Sequence, residues 1–178
     1  MPKFVALLRG INVGGKHRLP MKDLVRVLEG EGCTGVRTYI QSGNAIFEHA
    51  GKAKELQGRL AQAIEAEFGF AVPVVIRGAA QWRKLAGAHP FLAEGVDPAQ
   101  IAVGFLSAKP TAQAARSLDP ERSPGDRLQL SGSELYLHFP NGIARTKLTS
   151  AYLDRCLGVT CTVRNWKTVS KLQQLLED

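Results

Sequence analysis

The order of the apolar segments constrains this chain more than any other feature. Residues 4–8 are a short apolar run of the kind that fills a buried strand. A glycine-rich loop leads to Pro20, which stands at the first turn of a helix striped by Leu24, Val25, Val27 and Leu28 and stopped by Gly30 and Gly32. Residues 36–40 and 45–48 read as two strands joined at Ser42-Gly43-Asn44, with Val36, Thr38 and Ile40 on one face. Leu56, Leu60, Ala63, Ile64 and Phe68 recur at helical spacing until Gly69. Residues 72–76 form a β-branched strand whose Pro73 favours a sheet edge. The order is β-α-β-β-α-β.

The same order returns later. A helix over 79–86 and a loop with Pro90 and Pro98 precede a strand at 101–106. A short helix at 112–118 is broken by Pro120, Pro124 and Gly125. Strands at 127–130 and 134–139 flank Ser131-Gly132-Ser133, a helix spans 148–157 to Gly158, and 159–163 is again strand-like. A closing helix at 168–176 carries Val169, Leu172, Leu175 and Leu176 on one side. The expected fold class is therefore α+β, with two tandem ferredoxin-like subdomains, antiparallel sheets and extra helices. The expected division is 1–78, a linker with a helix over 79–100, and 101–178. The duplication lies in element order, and residue-level similarity between the halves is slight.

Composition narrows the class. Apolar residues are 44% of the chain, enough to build a core without disulfides, and no apolar run is long enough to span a bilayer. The apolar stretch near the N-terminus ends at Arg9, too short for a signal h-region, so the expected location is the cytoplasm. Cys33, Cys156 and Cys161 are odd in number and widely spaced, which points to free thiols and to no metal site. No cofactor motif is read. The net charge of +7 is concentrated at the two ends of the chain: Lys3, Arg9, Lys16, Arg18 and Lys22 fall before the first acid. Arg145, Lys147, Arg155, Arg164, Lys167 and Lys171 cluster late, against Asp154 alone. Such surfaces attract anions.

Four loops carry the candidate site residues. The first, Gly10-Ile11-Asn12-Val13-Gly14-Gly15-Lys16, fits most of a phosphate-loop pattern. His17 stands where a magnesium-binding hydroxyl is needed, and Leu19-Pro20 delays the helix, so Arg9, Asn12 and Lys16 read as an anion site without nucleotide-hydrolysis machinery. Gln41 and Asn44 lie at the first hairpin. Asn141, Arg145 and Lys147 lie before the helix at 148–157, for which Thr146 or Thr149 is the cap. Arg164 and Asn165 precede the last helix, with Thr168 as its cap and Trp166 placed either to close the core or to stack on a planar ligand.

These four strings resemble the signatures of the DUF1697 family, a bacterial domain of unknown function. The residues that carry the resemblance are 7–16 (Leu7 to Lys16), 38–44 (Thr38 to Asn44), Asn141-Gly142 with 145–148 (Arg145 to Leu148), and 164–166 (Arg164 to Trp166) with Thr168-Val169 and Lys171-Leu172. The resemblance implies a compact protein of two ferredoxin-like subdomains and implies no reaction.

Functionally, the residues point first to a binding module for an anionic ligand, a nucleic acid or a phosphorylated small molecule, held at a basic, Asn-rich cleft between the subdomains. The alternatives are a transferase or hydrolase acting on a phosphorylated metabolite, and a structural or oligomerising protein whose polar loops lock the subdomains. Whether the chain is an enzyme, and its oligomeric state, stay open at this level. No membrane partner is expected.

Overall fold

The computed structural model describes all 178 residues. The apolar run at the start becomes β1 (Lys3–Leu8), buried along most of its length, because side chains on both faces of the strand are apolar. α1 (Met21–Gly30), β2 (Thr34–Tyr39), β3 (Asn44–Glu48), α2 (Ala53–Phe68) and β4 (Val74–Gly78) complete the first βαββαβ unit. Its four antiparallel strands are ordered β2-β3-β1-β4, so the Pro73-led strand does sit at an edge. α3 (Ala79–Ala86) follows directly.

The second unit begins with α4 (Pro90–Ala93) and a 3₁₀ turn at Pro98–Gln100. β5 (Ile101–Leu106), α5 (Ala112–Arg116), β6 (Arg127–Ser131), β7 (Glu134–His138), α6 (Ser150–Leu157) and β8 (Cys161–Asn165) repeat the motif, and α7 (Trp166–Glu177) closes the chain. The strand order is β6-β7-β5-β8, the same as in the first sheet. Both units are thus ferredoxin-like. By compactness the chain divides into Met1–Arg83 with Leu172–Asp178, and Lys84–Lys171.

The duplication is legible in register. β1 pairs with β4 as Phe4↔Gly78, Val5↔Arg77 and Leu8↔Val74, and β5 pairs with β8 as Ala102↔Asn165, Val103↔Arg164 and Leu106↔Cys161. Phe4 therefore corresponds to Ala102, Arg77 to Arg164, and Gly78 to Asn165. On the helix-covered face of the first sheet, Phe4, Ala6, Leu8, Ala45 and Phe47 pack with Leu24, Leu28, Leu56, Leu60 and Ile64. The second sheet packs Ala102, Leu106, Leu135 and Leu137 with Tyr152, Leu153 and Leu157. The opposite faces are buried too: Val5, Leu7 and Val75 in the first unit, Val103 and Phe105 in the second.

Several boundaries differ from the sequence expectation for identifiable reasons. β2 ends at Tyr39, and Ile40 leaves the strand at φ 52°, so it does not share a face with Val36 and Thr38. β8 starts at Cys161, later than expected, because Gly158 caps α6 in the left-handed conformation and the Cys161 N–H donates to Asp154 Oδ1 at 2.8 Å. α7 begins before Thr168 because Asn165, not Thr168, caps it, with Asn165 Oδ1 accepting from Thr168 N at 2.9 Å. α4 was not anticipated, since Pro90 marks a helix start here and not merely a loop. Thr149, of the two threonines considered, caps α6.

All three cysteines are free, and Cys33 and Cys161 are buried. Burial pushes the Cys33 thiol up to about 11, with Glu31 adding to the shift, so it stays protonated near neutrality. Native-state alkylation with mass readout should label the half-buried Cys156 first, and Cys33 and Cys161 only after unfolding; early labelling of Cys33 would show this packing to be wrong.

Candidate functional site

The first loop is a rigid structure built from one asparagine. Asn12 sits at φ 55°, a left-handed conformation that asparagine tolerates better than most residues. Its Nδ2 donates to Leu19 O at 2.9 Å and to Gln41 O at 2.7 Å, and its Oδ1 accepts from Leu19 N at 2.8 Å. One side chain therefore ties both ends of the loop to each other and to the β2–β3 turn. Gly10, Gly14 and Gly15 also take positive φ, and His17 takes φ 50° while its ring stacks on Phe70 at 4.6 Å. Val13 and Lys16 form an isolated bridge, so the loop folds back on itself instead of running straight into α1 as a phosphate loop does.

The neighbouring turn is equally constrained. A Cβ on Gly43, which has φ 87°, would lie 2.6 Å from Leu8 Cβ and 3.0 Å from Ile11 Cδ1, so only glycine lets the turn close against β1. Asn44 is fully buried, and its Nδ2 donates to Tyr39 O at 3.1 Å and Ser42 Oγ at 3.0 Å. Arg9 is half-buried, with its N–H donating to Pro73 O at 3.1 Å. What this end of the sheet leaves exposed is Lys16, Arg18, Gln41 and the apolar tips Val13 and Ile40. Neither Lys16 nor Arg18 is ion-paired, whereas Arg26, Arg37, Arg59, Arg83 and Arg127 each meet a carboxylate.

In the second unit, the loop at 139–149 is held by groups the sequence did not single out. Asp126 Oδ2 accepts from Ser123 Oγ at 2.7 Å and from Thr146 Oγ1 at 2.6 Å, while Ser123 Oγ accepts from Lys147 N at 3.0 Å. The spacing of Ser123 and Asp126 is an ordinary turn signal, and only the fold brings Thr146 to it. Asn141, Arg145 and Lys147 are exposed on this braced loop, and neither cation is ion-paired. The pairings Ile101↔His138 and Ala102↔Asn165 put that loop and Asn165 at the same end of the second sheet.

Arg164 differs from the other candidates. It is half-buried, its Nη1 donates to Val163 O at 3.2 Å, and desolvation lowers its guanidinium to about 10. Arg77, at the equivalent register, is buried and likewise donates from Nη1 to the preceding carbonyl, Ile76 O, at 3.2 Å. Sequence reading missed Arg77, although Val75-Ile76-Arg77 and Thr162-Val163-Arg164 share a pattern that carried the signal. An arginine at the same register in both copies, bonded to the preceding carbonyl in each, is first a feature of the fold.

His89 is a further polar group inside the second unit. It is buried, its Nε2 lies 3.0 Å from Ala102 O, and Nδ1 has no hydrogen-bond partner. Desolvation lowers its pKa, with His138 adding to the shift and the Ala102 carbonyl opposing it.

The fold and these loops define a duplicated ferredoxin-like α+β protein that presents unpaired cations on braced, glycine-containing loops. The chain belongs to the family described as "Protein of unknown function (DUF1697)", which it matches over residues 1–136. Among solved structures, it is similar to the conserved bacterial protein SP0830 from Streptococcus pneumoniae. The two share 24% identity with a TM-score of 0.71, over 98% of each chain, a likeness of fold. Comparison with curated proteins returns no match.

Two outcomes follow. Asn12→Ala removes three hydrogen bonds and adds left-handed strain, so chemical denaturation should show a loss of about 2–4 kcal/mol, while Lys16→Ala stays within about 0.5 kcal/mol. His89 binds a proton less readily folded than unfolded, so its contribution is complete above the unfolded value and is lost as pH falls through the lowered native one. The urea midpoint should therefore drop between neutral and mildly acidic pH, and His89→Leu should reduce that drop; an undiminished drop would assign it elsewhere.

Proposed function

We propose that this protein is a binding module for a phosphate-bearing anion. The observation that carries the reading is the placement of unmatched cations on loops held by internal hydrogen bonds. Lys16, Arg18, Arg145 and Lys147 are exposed and unmatched, as are lysines such as Lys22 and Lys54 on helices, but these four stand on loops whose conformations are fixed by Asn12 and by Asp126. Unneutralised cations on a preorganised loop lose little entropy when an anion arrives, and exposed N–H groups nearby give it direction. Gln41 and Asn141 are exposed beside these cations and supply such donors. Asn12, Asn44 and Asn165 hydrogen-bond to the protein itself, which makes each of them framework of its own unit more than a ligand contact.

Phosphate occurs on nucleic acids and on small metabolites, and salt dependence separates them. Binding of a labelled oligonucleotide, followed by anisotropy, should weaken steeply with added salt. Removing Lys16 and Arg18 together should make the logarithmic salt slope shallower by roughly two units if both touch phosphate. Thermal stabilisation by a phosphorylated metabolite without oligonucleotide binding would assign the surface to small molecules. Failure to bind heparin, oligonucleotide and phosphorylated metabolites alike at low salt would defeat the reading.

A further inference from the structure

The two copies differ most informatively where the fourth strand of each unit passes into its following helix. Register equates Gly78 with Asn165, so Ala79 and Ala80 correspond to Trp166 and Lys167. In both copies the helix starts at the next residue, Ala79 in one and Trp166 in the other. The architecture of this junction is thus satisfied by Gly-Ala-Ala. Asn165 also caps the helix of the second copy, but the bulk of Trp166 and the charge of Lys167 go beyond what the junction of the first copy uses.

What those side chains do instead is line a pocket. A cavity of about 380 Å³ is bounded by Pro98, Ala99, Asn165, Trp166 and Lys167. Its size falls within the range of small-molecule sites, roughly 300–1,000 Å³. Its walls are mainly apolar, with polarity confined to Asn165 and Lys167. Trp166 is half-buried, and its indole is supported by His89, with ring centroids 5.2 Å apart and planes at 86°. His89 is itself fixed by its contact with Ala102 O at 3.0 Å and by Tyr136, centroid to centroid 4.9 Å. The tryptophan is therefore a braced platform and not a loose surface group. Lys167 is exposed and holds no ion pair.

We propose that this pocket binds a small planar aromatic anion, its ring against Trp166 and Pro98 and its negative group at Lys167. An aromatic platform beside an apolar wall selects a flat ring through stacking and dispersion, which every aromatic ring offers. An unpaired cation at the rim selects for charge. The site does not depend on the loops around Lys16 and stands even if that surface binds nothing.

The test uses the full chain labelled with ¹⁵N at its two tryptophans. Trp82 is fully buried and serves as the internal control for Trp166. Adenosine 5′-monophosphate and 1-naphthoate represent the nucleotide and aryl-carboxylate sources. Adenosine and inorganic phosphate separate the ring from the charge. The Trp166 indole resonance should shift saturably with at least one of the two aromatic anions, at dissociation constants from micromolar to about 1 mM, with Trp82 unmoved. A response to both assigns the shared chemistry, and a response to one alone narrows the source. Adenosine should bind about three- to tenfold more weakly than its monophosphate if the nucleotide is the ligand, and Lys167→Ala should abolish that difference without affecting the fold. Lys16→Ala with Arg18→Ala should leave the titration unchanged. The proposal is overturned if neither aromatic anion moves Trp166, if phosphate alone moves it as much, if Trp82 moves in parallel, or if Lys167→Ala binds the anion as well as the unaltered chain.

Discussion

A four-stranded antiparallel sheet has two faces, and a βαββαβ unit brings its own helices to only one of them. In both units of this protein the face away from the helices is nonetheless apolar and buried, through Val5, Leu7 and Val75 in the first and Val103 and Phe105 in the second. Burying a β-branched or aliphatic side chain is worth about 1.5–3 kcal/mol, so leaving such a face wet would forfeit a large part of a small unit's stability. The elements outside the repeated motif are consequently not decoration. Within the first unit, Trp82 of α3 and Leu172 and Leu176 of α7 are buried apolar groups additional to the helix-face core. The cations Lys3 and Arg37 donate to the Leu176 and Leu175 carbonyls, which fixes the end of α7 where a helix carries negative potential.

With the strands held on both faces, variation is left to the loops, and there the two copies diverge. The first unit spends its polar residues on the end where β1 finishes, with Asn12, Gly43 and Asn44 closing a loop and a turn against each other. The second unit elaborates the end where β5 begins, through the Asp126 network and the Asn165-Trp166-Lys167 corner. The two units therefore share their sheets and an arginine at one register of the fourth strand, while their exposed chemistry differs. Each exposed group rests on a backbone segment that is pinned by internal hydrogen bonds, the condition under which a binding surface loses least entropy on ligation.

How much of this the sequence disclosed depends on the range of the interaction concerned. The hairpin at Ser42-Gly43-Asn44 and the cap at Thr149 are local, and the residues announce them. Alternation alone extends β2 by one residue to Ile40, whereas in the fold Ile40 enters the tight turn before Gly43 in the left-handed region despite its branched side chain. Asn12 and Lys16 were both singled out as ligand candidates from the same string, yet the fold turns one into a clamp and leaves the other exposed. By sequence Thr146 reads as a cap; the fold instead makes it a partner of Asp126, twenty positions away. Arg77 and Arg164 were separable from the surface cations only by strand register.

The sequence by itself determined the element order, the duplication and the family, because these follow from the periodicity of apolar side chains and from short local strings. The basic excess of the first loop was likewise plain from composition. Tertiary structure alone decided which polar residues are framework and which remain for a ligand, since a side chain's hydrogen-bonding capacity is consumed by whatever backbone the fold brings to it. It also decided that Trp166 stands where the first copy keeps an alanine, because that correspondence rests on the pairing of β8 with β5 and not on any likeness between the two strings.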